Sequence, residues 1–168
     1  GYTSIVGGKR VKKSSNIIEA ISNVDELNAT LGLIVNYSRS SQKKIIQNIQ
    51  NDLFDLGADL ATPFSRKKNT IRLSDRHTAY LEKAIDKINT KLKPLTSFIL
   101  PGGDKISSLY HLARTICRRC EISIVKLSEK IKINTEILKY INRLSDLLFV
   151  LARQKNKNEV LWNPLKNK

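Results

Sequence analysis

The sequence predicts an all-α fold, a bundle of five helices forming one domain. Three observations predict it. Apolar residues recur at spacings of three and four in five successive stretches. No convincing run alternates with period two. The connections are short, apart from one loop from Thr62 to Leu73. No internal repeat and no Pro-, Gly- or Ser-rich linker divides the chain. Its 168 residues suit a single domain with a sizeable core.

The elements follow in order. A basic, glycine-containing segment over residues 1–15 precedes the first helix, which runs from about Ser15 to Tyr37 with Ile17, Ile21, Val24, Leu27, Leu31 and Ile34 on one face. The second starts near Ser41 and carries Ile46, Ile49, Leu53, Leu56 and Leu60. The third opens at Ser74 or Asp75, both good N-caps, and carries Leu81, Ile85, Ile88 and Leu92. Pro101-Gly102-Gly103 breaks the chain before the fourth, which carries Ile106, Leu109, Ala113, Cys117, Cys120, Ile124 and Leu127. The fifth runs from about Asn134 to Lys155 with Ile137, Ile141, Leu144, Leu148 and Leu151. The bundle thus occupies residues 16–155, and residues 156–168 form a basic tail.

With 40% hydrophobic and 27% charged residues the chain reads as globular, not disordered. A net charge of +15 favours anionic partners. The cations are scattered, as in Lys12-Lys13, Arg66-Lys67-Lys68, Lys91 and Lys93, so most are expected to be solvated surface. No run approaches the ~18 apolar residues of a membrane span, and no targeting peptide is visible; a cytoplasmic protein is expected. The chain starts at Gly1 and has no methionine, so a longer parent chain is expected. Cys117 and Cys120 lie three apart on the apolar face, without a second pair or a finger-like His spacing. They read as small core residues, and His77 and His111 as structural.

Chemistry concentrates on the last two helices. At 100° per residue Arg114, Arg118 and Glu121 fall within about 60° of each other, beside the apolar stripe. Guanidinium forks suit phosphate oxygens. Glu121 can hold Arg118 in place or accept from a ligand hydroxyl; the bland alternative is a surface ion pair. Arg119 points well away and is expected to serve another surface or a neighbouring chain. On the fifth helix Asn142 and Asp146 flank the apolar stripe and can face the arginines. Asp25 and Asn28 share one side of the first helix. Gly1-Tyr-Thr-Ser and Val6-Gly-Gly-Lys read as a flexible anion-binding loop, not a P-loop. No catalytic triad can be assembled.

Taken together, these segments resemble the PduO-type ATP:cob(I)alamin adenosyltransferases. The resemblance rests on Gly1-x-Thr-Ser-x-x-x-Gly8, Val24-Asp-Glu-Leu-Asn28, Asp52-Leu-Phe-Asp-Leu-Gly-Ala-Asp-Leu-Ala61, Phe98-Ile-Leu-Pro-Gly-Gly103, Leu112-Ala-Arg-Thr-x-Cys-Arg-Arg-x-Glu121 and Asn142-Arg-Leu-Ser-Asp-Leu-Leu-Phe-Val-Leu-Ala-Arg153. It implies a single ferritin-like five-helix domain, assembled as a homotrimer with sites between subunits. It implies transfer of the 5′-deoxyadenosyl group of ATP, carried with Mg²⁺, to the cobalt of cob(I)alamin, with release of triphosphate. By the same resemblance Thr3, Ser4 and Lys13 contact ATP from one subunit and Arg118, Arg119, Glu121 and Asn142 from the next. Arg114 pairs with Asp25 across the interface, and Phe98 crowds the lower face of the corrinoid. No protein side chain is assigned to a metal. Because Co(I) is the nucleophile, no Ser, Cys or His need be one.

The family's Thr-Gly-Asp just upstream of the first glycine is absent. Ser14-Ser15, Asp104 and Cys120 stand where acidic, small hydroxyl and alanine residues are common. The implied partners are the corrinoid, an electron-donating reductase and an adenosylcobalamin-dependent acceptor, with no nucleic acid and no membrane. Two other readings compete. A basic nucleic-acid-binding module is disfavoured by 6% aromatic content and dispersed charge. A regulator that binds nucleotide or corrinoid without turnover would keep the same bundle.

Overall fold

The computed structural model describes residues 1–64 and 70–165. Among these residues the chain forms β1 (Tyr2–Ser4), β2 (Arg10–Lys12), α1 (Asn16–Tyr37), α2 (Ser40–Ala61), α3 (Asp75–Asn89), α4 (Lys105–Ser128) and α5 (Thr135–Lys155). The expected five helices are present; the first, second, third and fifth begin within a residue or two of their expected starts, and the fourth begins just after Gly103. Arg66, Lys67 and Lys68, and the last three residues of the expected tail, lie outside the described residues.

The bundle is a chain of pairwise packings in which α2 packs on α1, α1 on α4, α4 on α5, and α5 on α3. The fourth and fifth helices therefore carry the centre of the core. Tyr140, Ile141, Leu144, Leu147 and Leu148 of α5 are fully buried, as are Tyr110, Ala113, Cys117, Cys120 and Ile124 of α4. The two cysteines are core residues as expected, each a separate thiol. Burial raises the Cys120 thiol to about 12 and Cys117 well above its usual value.

Two expectations are corrected. Period-two structure exists, as a hairpin pairing Tyr2 with Lys12, Thr3 with Val11 and Ser4 with Arg10. Three-residue strands are too short for alternation to register. Their turn needs Gly7 and Gly8, which sit at φ of 86° and 79°, a region that penalises any side chain. Leu92 lies beyond α3, which ends at Asn89; it packs on the core from the following turn.

The ends are fastened locally. Ser74 caps α3 in a reciprocal box with His77, the imidazole standing where Glu or Gln is usual. The Asp104 side chain accepts from Ser107 N at 2.8 Å and caps α4. Asn134 is the N-cap of α5 rather than its first turn, accepting from Glu136 N. Its amide also donates to buried Asp59 at 2.8 Å and to the Leu73 carbonyl at 2.9 Å. Asp59 further accepts from Leu73 N and forms an ion pair with Arg72. One carboxylate thus joins the end of α2, the strand-like approach to α3 and the α4–α5 turn.

After α5 the chain does not trail away. Residues 158–162 run back along residues 98–100. Leu100 N donates to Val160 O at 2.9 Å, Trp162 N to Phe98 O at 2.7 Å, and Ile99 bridges Leu161 antiparallel. No helix among the described residues is long and apolar enough to cross a membrane.

Candidate functional site

The α4–α5 pair brings together Arg114, Arg118, Glu121 and Asn142. Asn142 Nδ2 donates to Glu121 Oε1 at 2.9 Å across the two helices. Asn142 is exposed and Glu121 half-buried, so the bond sits at the rim of the packed face, where both ends reach solvent. The expectation that Glu121 holds Arg118 is corrected: its partner is Asn142. Arg118 is exposed and has no ion pair among the described residues, leaving a full guanidinium available on this rim.

One turn back, Arg114 lies over the Phe149 ring, 5.4 Å from its centroid, and His111 meets the same ring edge-on at 6.2 Å. Phe149 is two turns beyond Asn142, so α5 presents the amide and the ring on one side. His111 is 5% exposed and its Nε2 has no partner among the described residues. Burial, then the nearby Arg114, push its pKa down, against the pull of Glu159. Its surroundings thus disfavour the charged imidazolium, and the ring packs as an aromatic.

Arg119 points away from this rim, as its helical position requires. It forms an ion pair with Glu26 of α1 within the same chain, on the other surface that its helical position implies. Asp146 pairs with Arg143 at 3.0 Å instead of facing the arginine stripe. Asp25 is exposed on α1 and has no ion pair among the described residues. Around the Glu26–Arg119 pair, Leu33 of α1 and Leu112 and Ile122 of α4 are about half exposed, a broad apolar face on one side of the monomer.

Thr3, Ser4 and Lys13 sit on and just after the hairpin, with Lys13 N bonded to Gly1 O. No hydrogen bond or ion pair among the described residues joins them to Arg118 or Asn142. Beneath the hairpin is a cavity of about 370 Å³, lined mainly by apolar side chains such as Ile5, Val11, Ile17 and Leu127. Lys9, Arg72, Lys130 and Lys132 also line it, but none of Arg114, Arg118, Glu121 and Asn142 does.

Phe98 is 77% exposed at the other end of the bundle, beside Trp162 with ring centroids 6.0 Å apart. Trp162 and Phe149 went unread in the sequence as site residues. Phe149 is detectable by its seven-residue spacing from Asn142; Trp162 carries no periodic signal. The chain turns under this end at Gly103, at φ 98°, where an added Cβ would lie 2.7 Å from the Asn156 side chain. Among the described residues no cluster of three or more His, Cys, Asp or Glu is arranged to hold a metal ion.

Known proteins are similar to this chain in sequence and fold. The family model described as "Cobalamin adenosyltransferase" matches residues 1–155. A corrinoid adenosyltransferase of Mycobacterium leprae is 41% identical over 98% of this chain and 91% of its own. The corrinoid adenosyltransferase PduO of Citrobacter freundii is also 41% identical, over 91% of this chain and 46% of its own. Among solved structures, a variant of the PduO-type ATP:corrinoid adenosyltransferase from Lactobacillus reuteri, complexed with cobalamin and ATP, superposes with a TM-score of 0.91 at 35% identity, covering 96% of this chain and 94% of its own.

Proposed function

The chain belongs to the cobalamin adenosyltransferase family, and we propose that its α4–α5 rim is where ATP gives up its adenosyl group. The reaction is transfer of the 5′-deoxyadenosyl group from ATP to the cobalt of a reduced corrinoid. The Co(I) electron pair attacks the ribose 5′ carbon, a Co–C bond forms, the C5′–O bond breaks, and triphosphate leaves with the bonding electrons.

The observation that carries the site assignment is the Asn142–Glu121 bond beside Arg118, which has no ion pair among the described residues. ATP brings about four negative charges, and its leaving group keeps them. Arg118 supplies a forked, permanently charged donor for that charge. Asn142, its amide already aimed by Glu121, has a further donor for a phosphate or sugar oxygen. Mg²⁺ enters with the triphosphate and neutralises part of it. Protein side chains therefore align and stabilise, and none of them is the nucleophile.

The second half of the ATP site comes from Thr3, Ser4 and Lys13 of a neighbouring copy, in a homotrimer. The lack, among the described residues, of any hydrogen bond or ion pair from Thr3, Ser4 or Lys13 to Arg118 or Asn142 supports this, as do the half-exposed Leu33, Leu112 and Ile122. Assembly would bring Arg114 within reach of a neighbour's Asp25, and Arg119 would join Arg118, Glu121 and Asn142 in contacting ATP. Phe98, with Trp162 behind it, forms the apolar wall on the lower side of the corrinoid and excludes a lower ligand from cobalt. We infer a cytoplasmic reaction, with a reductase supplying Co(I) and an adenosylcobalamin-dependent enzyme taking the product.

The test is an anaerobic visible-spectrum assay with ATP, Mg²⁺ and chemically reduced cobalamin. Loss of the Co(I) band with equimolar triphosphate and a light-sensitive product is expected. Binding of ATP without triphosphate release would overturn the transferase assignment in favour of a sensor.

A further inference from the structure

Resting on the reading of Phe98 as the lower wall of the corrinoid site, we propose that the basic pocket behind it binds the phosphodiester of the corrinoid's own nucleotide loop after the lower ligand has left cobalt. The pocket holds about 550 Å³, between the α3–α4 connection and the segment that follows α5. That is within the usual range for small-ligand sites.

Its charge is one-sided. Lys91, Lys93, Lys157 and Arg153 line it, and Glu159 is the single acid in the lining. Glu159 is already committed. It accepts from Arg153 Nε at 2.8 Å and from a terminal guanidinium nitrogen at 3.2 Å. The same terminal nitrogen donates to Lys93 O at 2.8 Å. Arg153 is 7% exposed, so this pair is a fixed, neutral floor that also pins the Lys93 backbone. None of the three lysines has an acidic partner within 4.0 Å among the described residues. The pocket therefore keeps its positive charge.

Its position ties it to the corrinoid wall. Leu95, Thr96 and Leu161 line the pocket. Two residues beyond Thr96 is Phe98, and next to Leu161 is Trp162. Ser97 Oγ donates to Trp162 O at 3.0 Å and Trp162 N to Phe98 O at 2.7 Å. One hydrogen-bonded ribbon thus carries the aromatic pair and forms a wall of the lysine pocket.

The chemistry of the substrate supplies the anion. In a complete corrinoid the lower base hangs from the ring through a phosphodiester, a permanent monoanion. Crowding of the lower face by Phe98 detaches that base and frees the arm. A phosphodiester held by ammonium donors gains charge-assisted hydrogen bonds. A captured arm also keeps its base away from cobalt, so the pocket favours the state in which cobalt is most readily reduced.

The test uses the Lys93→Gln/Lys157→Gln double variant with saturating ATP and two chemically reduced substrates, cobalamin and cobinamide, which lacks the nucleotide loop. The expected result is a KM for cobalamin raised about tenfold, with the KM for cobinamide and both kcat values unchanged. An equal change for both substrates, or no change for either, overturns the proposal. So does relief of triphosphate inhibition in the variant with cobinamide as substrate, which would make the pocket a product-anion site. If the wild-type protein turns over neither substrate, the adenosyltransferase reading fails and the proposal with it. Normal cobinamide turnover with no cobalamin effect would sink the pocket alone.

Discussion

Asn142 on α5 donates to Glu121 on α4 at 2.9 Å, and the bond sets the amide's direction at an exposed rim. An exposed hydrogen bond of this kind contributes about 0.5–1.5 kcal/mol to folding. Asn142→Ala should therefore leave Tm almost unchanged while lowering kcat/KM roughly a hundredfold or more. Arg118→Ala should do the same. Full activity in either variant, measured by loss of the Co(I) band, would place the ATP site elsewhere.

If each ATP site draws on two subunits, two dead subunits can repair each other. Lys13→Ala and Arg118→Ala proteins should each be nearly inactive alone. Refolded together they should regain part of the wild-type rate, because some interfaces would then be wholly intact. Ile122→Glu, on the half-exposed apolar face, should sediment as a monomer and lose activity with its helix content retained. Failure of complementation alongside a monomeric wild type would overturn the shared-site arrangement.

Asp59 is 2% exposed and takes bonds from Arg72, Leu73 and Asn134. Removing the carboxylate takes an acceptor from Leu73 N and the Asn134 amide and the counter-charge from Arg72, at a cost of about 3–5 kcal/mol. Asp59→Ala should lower stability by that amount in urea unfolding. Normal stability would mean that water replaces the carboxylate fully.

His111 gives the fold a pH dependence of known sign. Its folded pKa lies below the ordinary 6.5, through burial and Arg114, with Glu159 opposing. The unfolded chain then binds the proton more readily. The stability held above pH 6.5 is lost as pH falls through the folded pKa. Wild-type Tm should drop more steeply on acidification from neutrality than that of His111→Gln. Parallel Tm profiles would show that the imidazole is not the group responsible.

Gly103→Ala should destabilise by roughly 1–3 kcal/mol, since φ of 98° disfavours a side chain and the new Cβ would strike Asn156. Because Asn156 begins the return segment behind Phe98, corrinoid affinity should fall as well. A stable variant with unchanged corrinoid KM would argue that this end of the bundle is not coupled to the corrinoid.

How much of this was legible in the sequence follows from periodicity. Helices of 15 to 24 residues repeat their apolar spacing several times, so the five helices and their buried faces could be read directly. The hairpin, with three-residue strands, could not. The positions of Arg114, Arg118 and Glu121 on one stripe follow from helix geometry. Their partners do not, because partner choice depends on how α4 is rotated against α1 and α5. That is why Arg119 was found on Glu26 and Glu121 on Asn142. The return of Trp162 to Phe98 joins residues 64 positions apart through backbone bonds, which leave no side-chain pattern to detect.

The burial of both cysteines makes the protein its own unfolding clock. Cys117 and Cys120 are fully enclosed on the helix that packs against both α1 and α5. A thiol reagent can reach them only when that helix opens, so the labelling rate at low reagent measures the opening equilibrium of the central helix. Slowing of labelling by ATP or by a corrinoid would then report, without any assay of turnover, how tightly each substrate clamps the bundle shut.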